Sequence, residues 1–593
     1  MKPLLAVNRY FARYKWYLIG GILFVAISNV FAILPAQIVR YSFELVQKTI
    51  DLYFLFAGLQ AQSLVVDVFA GSILVYGMLI VAMALLRGVF LFLMRQTLIV
   101  MSRHIEYDQK NDIYAHYQTL PLAFYRRNNT GDLMARISED VSRVRMYTGP
   151  AIMYAINLLV LFVMVIGYML SVNVRLTVYT LLPLPILSVT IYFVNTLINK
   201  KSEQIQKQLS TLSTYVQEAF SGIRVLKAFN REDSSAGRFA AESEVYRTRS
   251  LELAHVNALF FPVMLGMIGL STIITVYVGG LEVDAGHIST GTIAEFIIYV
   301  NMLTWPVTSL GWITSLAQRA SASQQRINEF LDERTNIVSA QNLETPIEGY
   351  LQFDDVSFAY PDGRGPVLEH ISFAVEPGQS LAVLGRTGSG KSTLAALIGR
   401  LYDASGGSIA IDGRDIKAYR PEHLRSQMAF VPQEVFLFSD TIGHNIAFGN
   451  PGVGGARIRQ AAADADLLGN VEGFAAGFET IVGERGVTLS GGQKQRVSIA
   501  RALVLDPRIL VLDDCLSAVD TTTENTILQN LQRIMQGRTT VIISHRVSSA
   551  KLASQIIVLD GSTIAEAGTH ADLLARGGLY AEMYERQMAG EEV

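Results

Sequence analysis

The sequence predicts two parts in series: an α-helical membrane domain of six transmembrane helices with long extensions, followed by an α/β domain. Three observations predict this. Half of the 593 residues are hydrophobic and only 17% are charged, and mean hydropathy is +0.31, too apolar for a soluble protein and too charged for a chain that is membrane throughout. Six apolar runs are each long enough to cross a bilayer, which takes roughly 20 residues. From about Gly349 the pattern changes to strands and helices in alternation around a glycine-rich loop.

The apolar runs lie near Trp16 to Leu34, Phe69 to Met94, Pro150 to Leu170, Leu176 to Ile198, Leu259 to Gly280 and Thr292 to Leu316. The basic start MKPLLAVNRYFARYKWY leads into a full-length span without a small-residue cleavage site, which reads as a retained first helix. Lys and Arg crowd ahead of the first span, between the second and third, and between the fourth and fifth, whereas Leu281 to Gly291 has none. The positive-inside rule then puts both termini in the cytoplasm of a multi-pass protein of the inner or plasma membrane. The expected division is 1–318 for the membrane domain, 319–348 for a linker and 349–593 for the second domain.

The two basic connections are long and carry helical patterning, as in IEYDQKNDIYAHYQTL and SEQIQKQLSTLSTYVQEAFSGIRVLKAF, so stiff helices are expected to continue below the bilayer as cytoplasmic extensions. Each contains a break, at FYRRNNTGDLMARISEDV and at EAFSGIRVLKAFNRED, where a short transverse helix fits. Phe124, Tyr125, Phe220 and Phe229 in these breaks predict contact surfaces for the second domain, since free loops gain nothing from large apolar side chains.

Ionisable residues inside the spans are few; Arg87 and Arg95 in the second stand out, and near a cytoplasmic end such residues snorkel or pair. Trp305 and Pro306 suggest a kink in the sixth span. The absence of a ring of buried charges argues against an ion channel or proton-coupled carrier. A formal net charge of -3 gives no reason to expect a nucleic-acid partner. The single cysteine, Cys515, rules out an intramolecular disulfide framework.

In the second half, LAVLGRTGSGKSTLAALI places Gly385, Arg386, Thr387, Gly388, Ser389, Gly390, Lys391, Ser392 and Thr393 directly after a strand and directly before a helix. That is the P-loop spacing in its proper context. Glycines let backbone amides approach phosphates, the helix start favours the anion, Lys391 reaches the β- and γ-phosphates, and Ser392 is a ligand for Mg²⁺. The expected cofactors are ATP and Mg²⁺.

The segment VTLSGGQKQRVSIARAL contains Leu489, Ser490, Gly491, Gly492 and Gln493 and resembles the signature motif of ATP-binding cassette (ABC) proteins. Further resemblances follow. Tyr360 in VSFAY is similar to the residue that stacks on adenine, and Gln433 in AFVPQEVFLFSDTI to the Q-loop glutamine that senses Mg²⁺ and the membrane helices. Asp513 resembles the Walker B aspartate, a metal ligand, Ser517 to Asp520 the D-loop, His545 the switch histidine, and Thr480 to Gly486 the X-loop of exporters. Essentially the whole chain is similar to half-size ABC exporters of the multidrug and lipid type. That resemblance implies an ATP hydrolase coupled to transport, with two such domains closing head to tail around two ATP molecules.

One position departs from the pattern. Asp514 stands where the family places a catalytic glutamate that polarises the attacking water. Aspartate is one methylene shorter, so the carboxylate withdraws by roughly 1.5 Å, and a shift of about 1 Å costs on the order of a hundredfold in rate. DDCLSAVD resembles the degenerate-site subunit of heterodimeric exporters, which implies a second, non-identical half-transporter carrying the glutamate. Two alternatives stand beside it: a homodimer of low turnover, and an ATP-gated regulatory or channel subunit. The apolar spans suggest membrane lipids and a hydrophobic or amphipathic substrate, such as a drug, lipid or peptide.

Overall fold

The computed structural model describes residues 2–363, 365–483, 489–515 and 521–589. The chain divides into two compact units. One comprises Met1–Gln118 and Gly131–Asp332; the other comprises Thr119–Thr130 and Glu333–Val593.

The first unit contains six helical stretches long and apolar enough to cross a membrane: Lys15–Leu55, Ala61–Thr119, Thr130–Val172, Val174–Ser221, Glu232–Asp284 and Thr290–Asp332. They run from 41 to 59 residues, well beyond the roughly 20 a bilayer requires, so the expected extensions are present. The principal helices here are α1 (Lys15–Leu55), α2 (Ala61–Thr119), α3 (Leu122–Arg127), α4 (Ile152–Val172), α5 (Pro183–Ser221), α6 (Ile223–Ala228), α7 (Glu232–Asp284) and α8 (Thr290–Asp332). The chain breaks after α4 at Asn173, whose side chain accepts the Leu176 amide at 2.8 Å and caps a short helix, Val174–Leu181, that precedes α5. Helix α7 runs along α5, and α1 runs along both α4 and α8. Helix α8 continues through Pro306, where the Ser309 hydroxyl donates to the Pro306 carbonyl at 2.8 Å.

Arg87 and Arg95 are exposed. Buried charges of this unit include Asp140, Glu282 and Glu295; Glu295 on α8 meets the partly buried Arg40 on α1, a pair that sequence reasoning passed over. Arg40 Nη1 donates to Glu295 Oε2 at 3.1 Å and to the Tyr168 hydroxyl at 3.3 Å, and the Tyr299 hydroxyl donates to Glu295 Oε1 at 2.9 Å. Gly291 makes the approach possible, since a Cβ there would collide with the Arg40 carbonyl. Removing the Glu295 charge leaves the partly buried Arg40 with the longer Glu44 contact at 3.7 Å as its counter-charge. Glu295→Gln is therefore expected to lower the unfolding temperature of the purified protein, and an unchanged thermal transition would contradict the tie.

The second unit is built on two sheets. A four-stranded antiparallel sheet has the order β2-β1-β4-β5, with β1 (Leu351–Phe358), β2 (Leu368–Val375), β4 (Gly406–Ile411) and β5 (Arg414–Asp415). A six-stranded sheet has the order β10-β9-β3-β8-β7-β6, with β3 (Ser380–Gly385), β6 (Met428–Val431), β7 (Ile509–Asp513), β8 (Thr539–Ile543), β9 (Gln555–Asp560) and β10 (Thr563–Gly568). All its pairings are parallel except β10 with β9. Strands β3, β7 and β8 are buried at every position, which explains why their sequences are mostly apolar, because a parallel strand covered on both faces has no polar side to show. Neighbouring parallel strands end together, so β3 and β7 deliver their following residues to one edge.

Helix α3 belongs to this second unit. Ala123 joins the core that includes Leu394, Leu397 and Ile398, and Phe124 is buried. The expected contact surface is thus present for the first connection. In the second, Phe220 and Phe229 are 73% and 74% exposed.

Candidate nucleotide-binding site

The loop from Gly385 to Gly390 joins β3 to α9 (Lys391–Ile398). Gly390 has φ +92, and a Cβ there would lie 2.7 Å from Leu368 Cδ2, so a larger residue is excluded by both backbone and space. The Lys391 ammonium is buried and donates to the carbonyls of Gly385 at 2.7 Å and Arg386 at 2.8 Å, curling the loop around itself. Burial pushes Lys391 down to about 8, and the neighbouring carboxylates of Asp514 and Asp513 oppose the shift. Ser389 Oγ is buried with no hydrogen-bond partner among the described residues. A buried hydroxyl at a helix start beside an ammonium is matched to a bound oxyanion.

Strand β7 brings the two aspartates to this loop. Ser392 Oγ donates to Asp513 Oδ1 at 3.1 Å, which sets two oxygen ligands side by side, and burial raises the Asp513 carboxyl above the usual range. Asp514 leaves the strand in the left-handed region, at φ +44, a conformation Asp tolerates better than most residues. Its amide donates to the Ile543 carbonyl at 2.8 Å, and Gln433 Nε2 lies 3.5 Å from Asp514 Oδ2. His545 follows β8; burial, then the Lys391 charge, hold its imidazole below the usual value. Cys515 is a buried thiol that burial pushes up to about 12, so it is inert as a nucleophile here.

Tyr360 stands at the other side of the loop. Its hydroxyl is 2.9 Å from Thr393 Oγ1, and the rings of Phe358 and Tyr402 stand nearly perpendicular to it, with centroids 4.9 and 5.3 Å away. Arg126 from α3 lies over the ring, with its guanidinium carbon 4.0 Å from the centroid. Sequence reasoning counted Arg126 only as a basic residue of the connection. Nothing in its local sequence marks it, because its partner is far along the chain.

The Ser490 to Gln493 turn begins α10 (Gly491–Leu503) with a reciprocal cap. Gln493 N donates to Ser490 Oγ at 3.3 Å, and Ser490 N donates to Gln493 Oε1 at 3.0 Å. Ser490 and Gly491 are exposed. Gly385 to Thr393, Gln433, Asp513, Asp514 and His545 thus gather around one loop with Tyr360 beside it, and Ser490 to Gln493 form a separate exposed helix start. Ser517 to Asp520 and Glu484 to Gly486 lie outside the described residues.

Residues 17–307 match the ABC transporter transmembrane region, and residues 368–517 match the ABC transporter family. The chain is 37% identical over 486 residues to the probable multidrug resistance ABC transporter ATP-binding/permease protein YheI of Bacillus subtilis (strain 168), covering 81% of this chain and 82% of that one. It is 34% identical over 516 residues to the ATP-dependent lipid A-core flippase of Hahella chejuensis, covering 86% and 88%. The solved structure of a bacterial Atm1-family ABC exporter with ATP bound is similar with a TM-score of 0.75 and 27% identity, over 97% of this chain and 99% of that one. With six spans, a phosphate-type loop on β3 and both family matches in order, the chain belongs to the ABC transporters, as a half-size exporter that joins a membrane domain to an ATP-binding domain.

Proposed function

We propose that this chain is one half of an ATP-driven exporter whose own hydrolytic site is weak, working beside a non-identical half that carries a glutamate where this chain has Asp514. The observation that carries the reading is the pairing of that short carboxylate with an intact Ser490 to Gln493 turn. Asp514 ends roughly 1.5 Å short of a glutamate's reach, whereas the exposed turn at the start of α10 keeps the sequence and cap needed to face a phosphate on another chain. The large exposed Phe220 and Phe229 beside α6 support a second chain as well, since a nucleotide domain docked there removes them from water.

ATP would lie with adenine on Tyr360 and phosphates in the loop from Gly385 to Thr393. Mg²⁺ fits the oxygen pair of Ser392 and Asp513, with Gln433 alongside. A magnesium ion that arrives with phosphate needs few protein ligands, and the two oxygens of Ser392 and Asp513 are of that kind. When bound, that ion supplies charge neutralisation at the phosphates. Lys391 binds them, Gln433 and Asp514 orient water and His545 reads the terminal phosphate. The cargo is hydrophobic or amphipathic, supported by the apolar spans and by the multidrug and lipid names of the relatives. The nucleotide-binding half faces the cytoplasm, as the charge bias of the connections indicates.

The test is ATP-dependent uptake of an amphipathic dye into inside-out vesicles, with this chain expressed alone and with a candidate partner half. Uptake only in the paired preparation supports the reading; full uptake by the chain alone overturns the pairing. Ser490→Arg adds a directional check, because it fills the anion site offered to the other chain. ATPase of the complex is expected to fall about a hundredfold, the range seen when one charge-stabilising donor is lost, while nucleotide photolabelling of this chain's own loop persists.

A further inference from the structure

Arg126 sits in α3, inside the connection between the second and third spans, and its guanidinium covers a face of the Tyr360 ring. The site is built, not incidental. Phe358 and Tyr402 pack nearly perpendicular to the ring and its hydroxyl lies 2.9 Å from Thr393 Oγ1, so the ring is held in place under the guanidinium. Arg126 is in turn paired with Asp362, 3.8 Å from its Nε. Ala123 anchors the same short helix in the domain core.

A guanidinium and a purine are both planar and seek the same aromatic face at the same distance. They cannot share it. We propose that Arg126 is a latch on the adenine platform, which nucleotide must displace before its base can stack. This inference rests on the reading of Tyr360 as that platform. Displacement lowers the apparent nucleotide affinity by the stability of the latch, and linkage requires nucleotide to loosen α3 by the same factor. Because α3 is covalently continuous with the second and third spans, the occupancy of the base pocket is thereby reported to the segment that leads into them.

The experiment measures binding of AMP-PNP and of inorganic tripolyphosphate to the full-length transporter in lipid nanodiscs, for the unmodified protein, Arg126→Ala, Arg126→Lys and Tyr360→Ala. Tripolyphosphate reads the phosphate loop without the base, so the ratio of the two affinities isolates the stacking event. Arg126→Ala is expected to tighten AMP-PNP about two- to fivefold relative to tripolyphosphate, the worth of an exposed cation–π contact. Arg126→Lys keeps the charge but loses the plane and is expected to move the ratio in the same direction.

A ratio unchanged in both Arg126 variants overturns the latch, as does a ratio that falls, which would make Arg126 a clamp on the bound base. Equal weakening of both ligands also overturns it, because that is the signature of a charge acting on phosphate alone. Tyr360→Ala separates the two levels. It is expected to weaken AMP-PNP and leave tripolyphosphate unaffected; if AMP-PNP is unaffected too, the platform itself is misassigned, whereas a weakened Tyr360→Ala beside unresponsive Arg126 variants removes the latch only.

Discussion

Replacing Lys391 with alanine is expected to raise the dissociation constant for ATP at this chain's loop by about two orders of magnitude or more. The ammonium is buried, hydrogen-bonded to the Gly385 and Arg386 carbonyls, and flanked by the carboxylates of Asp513 and Asp514. It is the cation that makes an acidic corner hospitable to a polyphosphate. Without it two effects add. The charge-assisted bonds to phosphate are lost, each worth about 1.5–3 kcal/mol, and two aspartates face the incoming anion with no compensating charge. Burial already holds this lysine near 8, below its usual value. Photolabelling of this chain by an azido-ATP analogue, read beside an unchanged thermal transition, checks the result. Labelling at the original level would withdraw the loop from nucleotide binding.

Asp514→Ala divides the asymmetric reading from a homodimer. In a homodimer both sites depend on this carboxylate, and loss of a working general base costs about 10² to 10⁴ in rate. In an asymmetric pair most turnover belongs to the other site, which draws on Ser490 of this chain and on its own glutamate. The expected result is that Asp514→Ala leaves most steady-state ATPase and dye transport intact, while exchange of the partner's glutamate stops both. Asp514→Glu is a useful third arm, since the added methylene restores the reach the position lacks, yet it need not speed a complex limited elsewhere. The Gln433 side chain, 3.5 Å from the Asp514 carboxylate, loses that neighbour in Asp514→Ala, so retained ATP binding is measured alongside. Collapse of both activities with binding retained would sink the pairing in favour of the homodimer.

Features whose causes are local were legible in the order of the amino acids. Glycine spacing and the lysine and serine that follow it announce the loop between β3 and α9, because a turn that must place amides around an anion admits few residue types. The apolar runs announced six spans, because length and hydropathy are properties of contiguous sequence. They did not give the helix ends: Arg40 lies past the first apolar run, yet α1 continues to Leu55, and Glu295 within the sixth run went unnoticed. Tertiary packing decided those two. A fully buried carboxylate such as Glu295 is tolerable where a cation from another helix meets it, and its own helix begins 250 residues after Arg40, at Thr290. The same holds at the site. The order β9-β3-β8-β7 sets Ser392 against Asp513, 121 residues away, and the return of α3 to the domain core sets Arg126 on Tyr360. Such pairs leave no periodicity and no motif, since each half is shaped by a partner that only folding brings near.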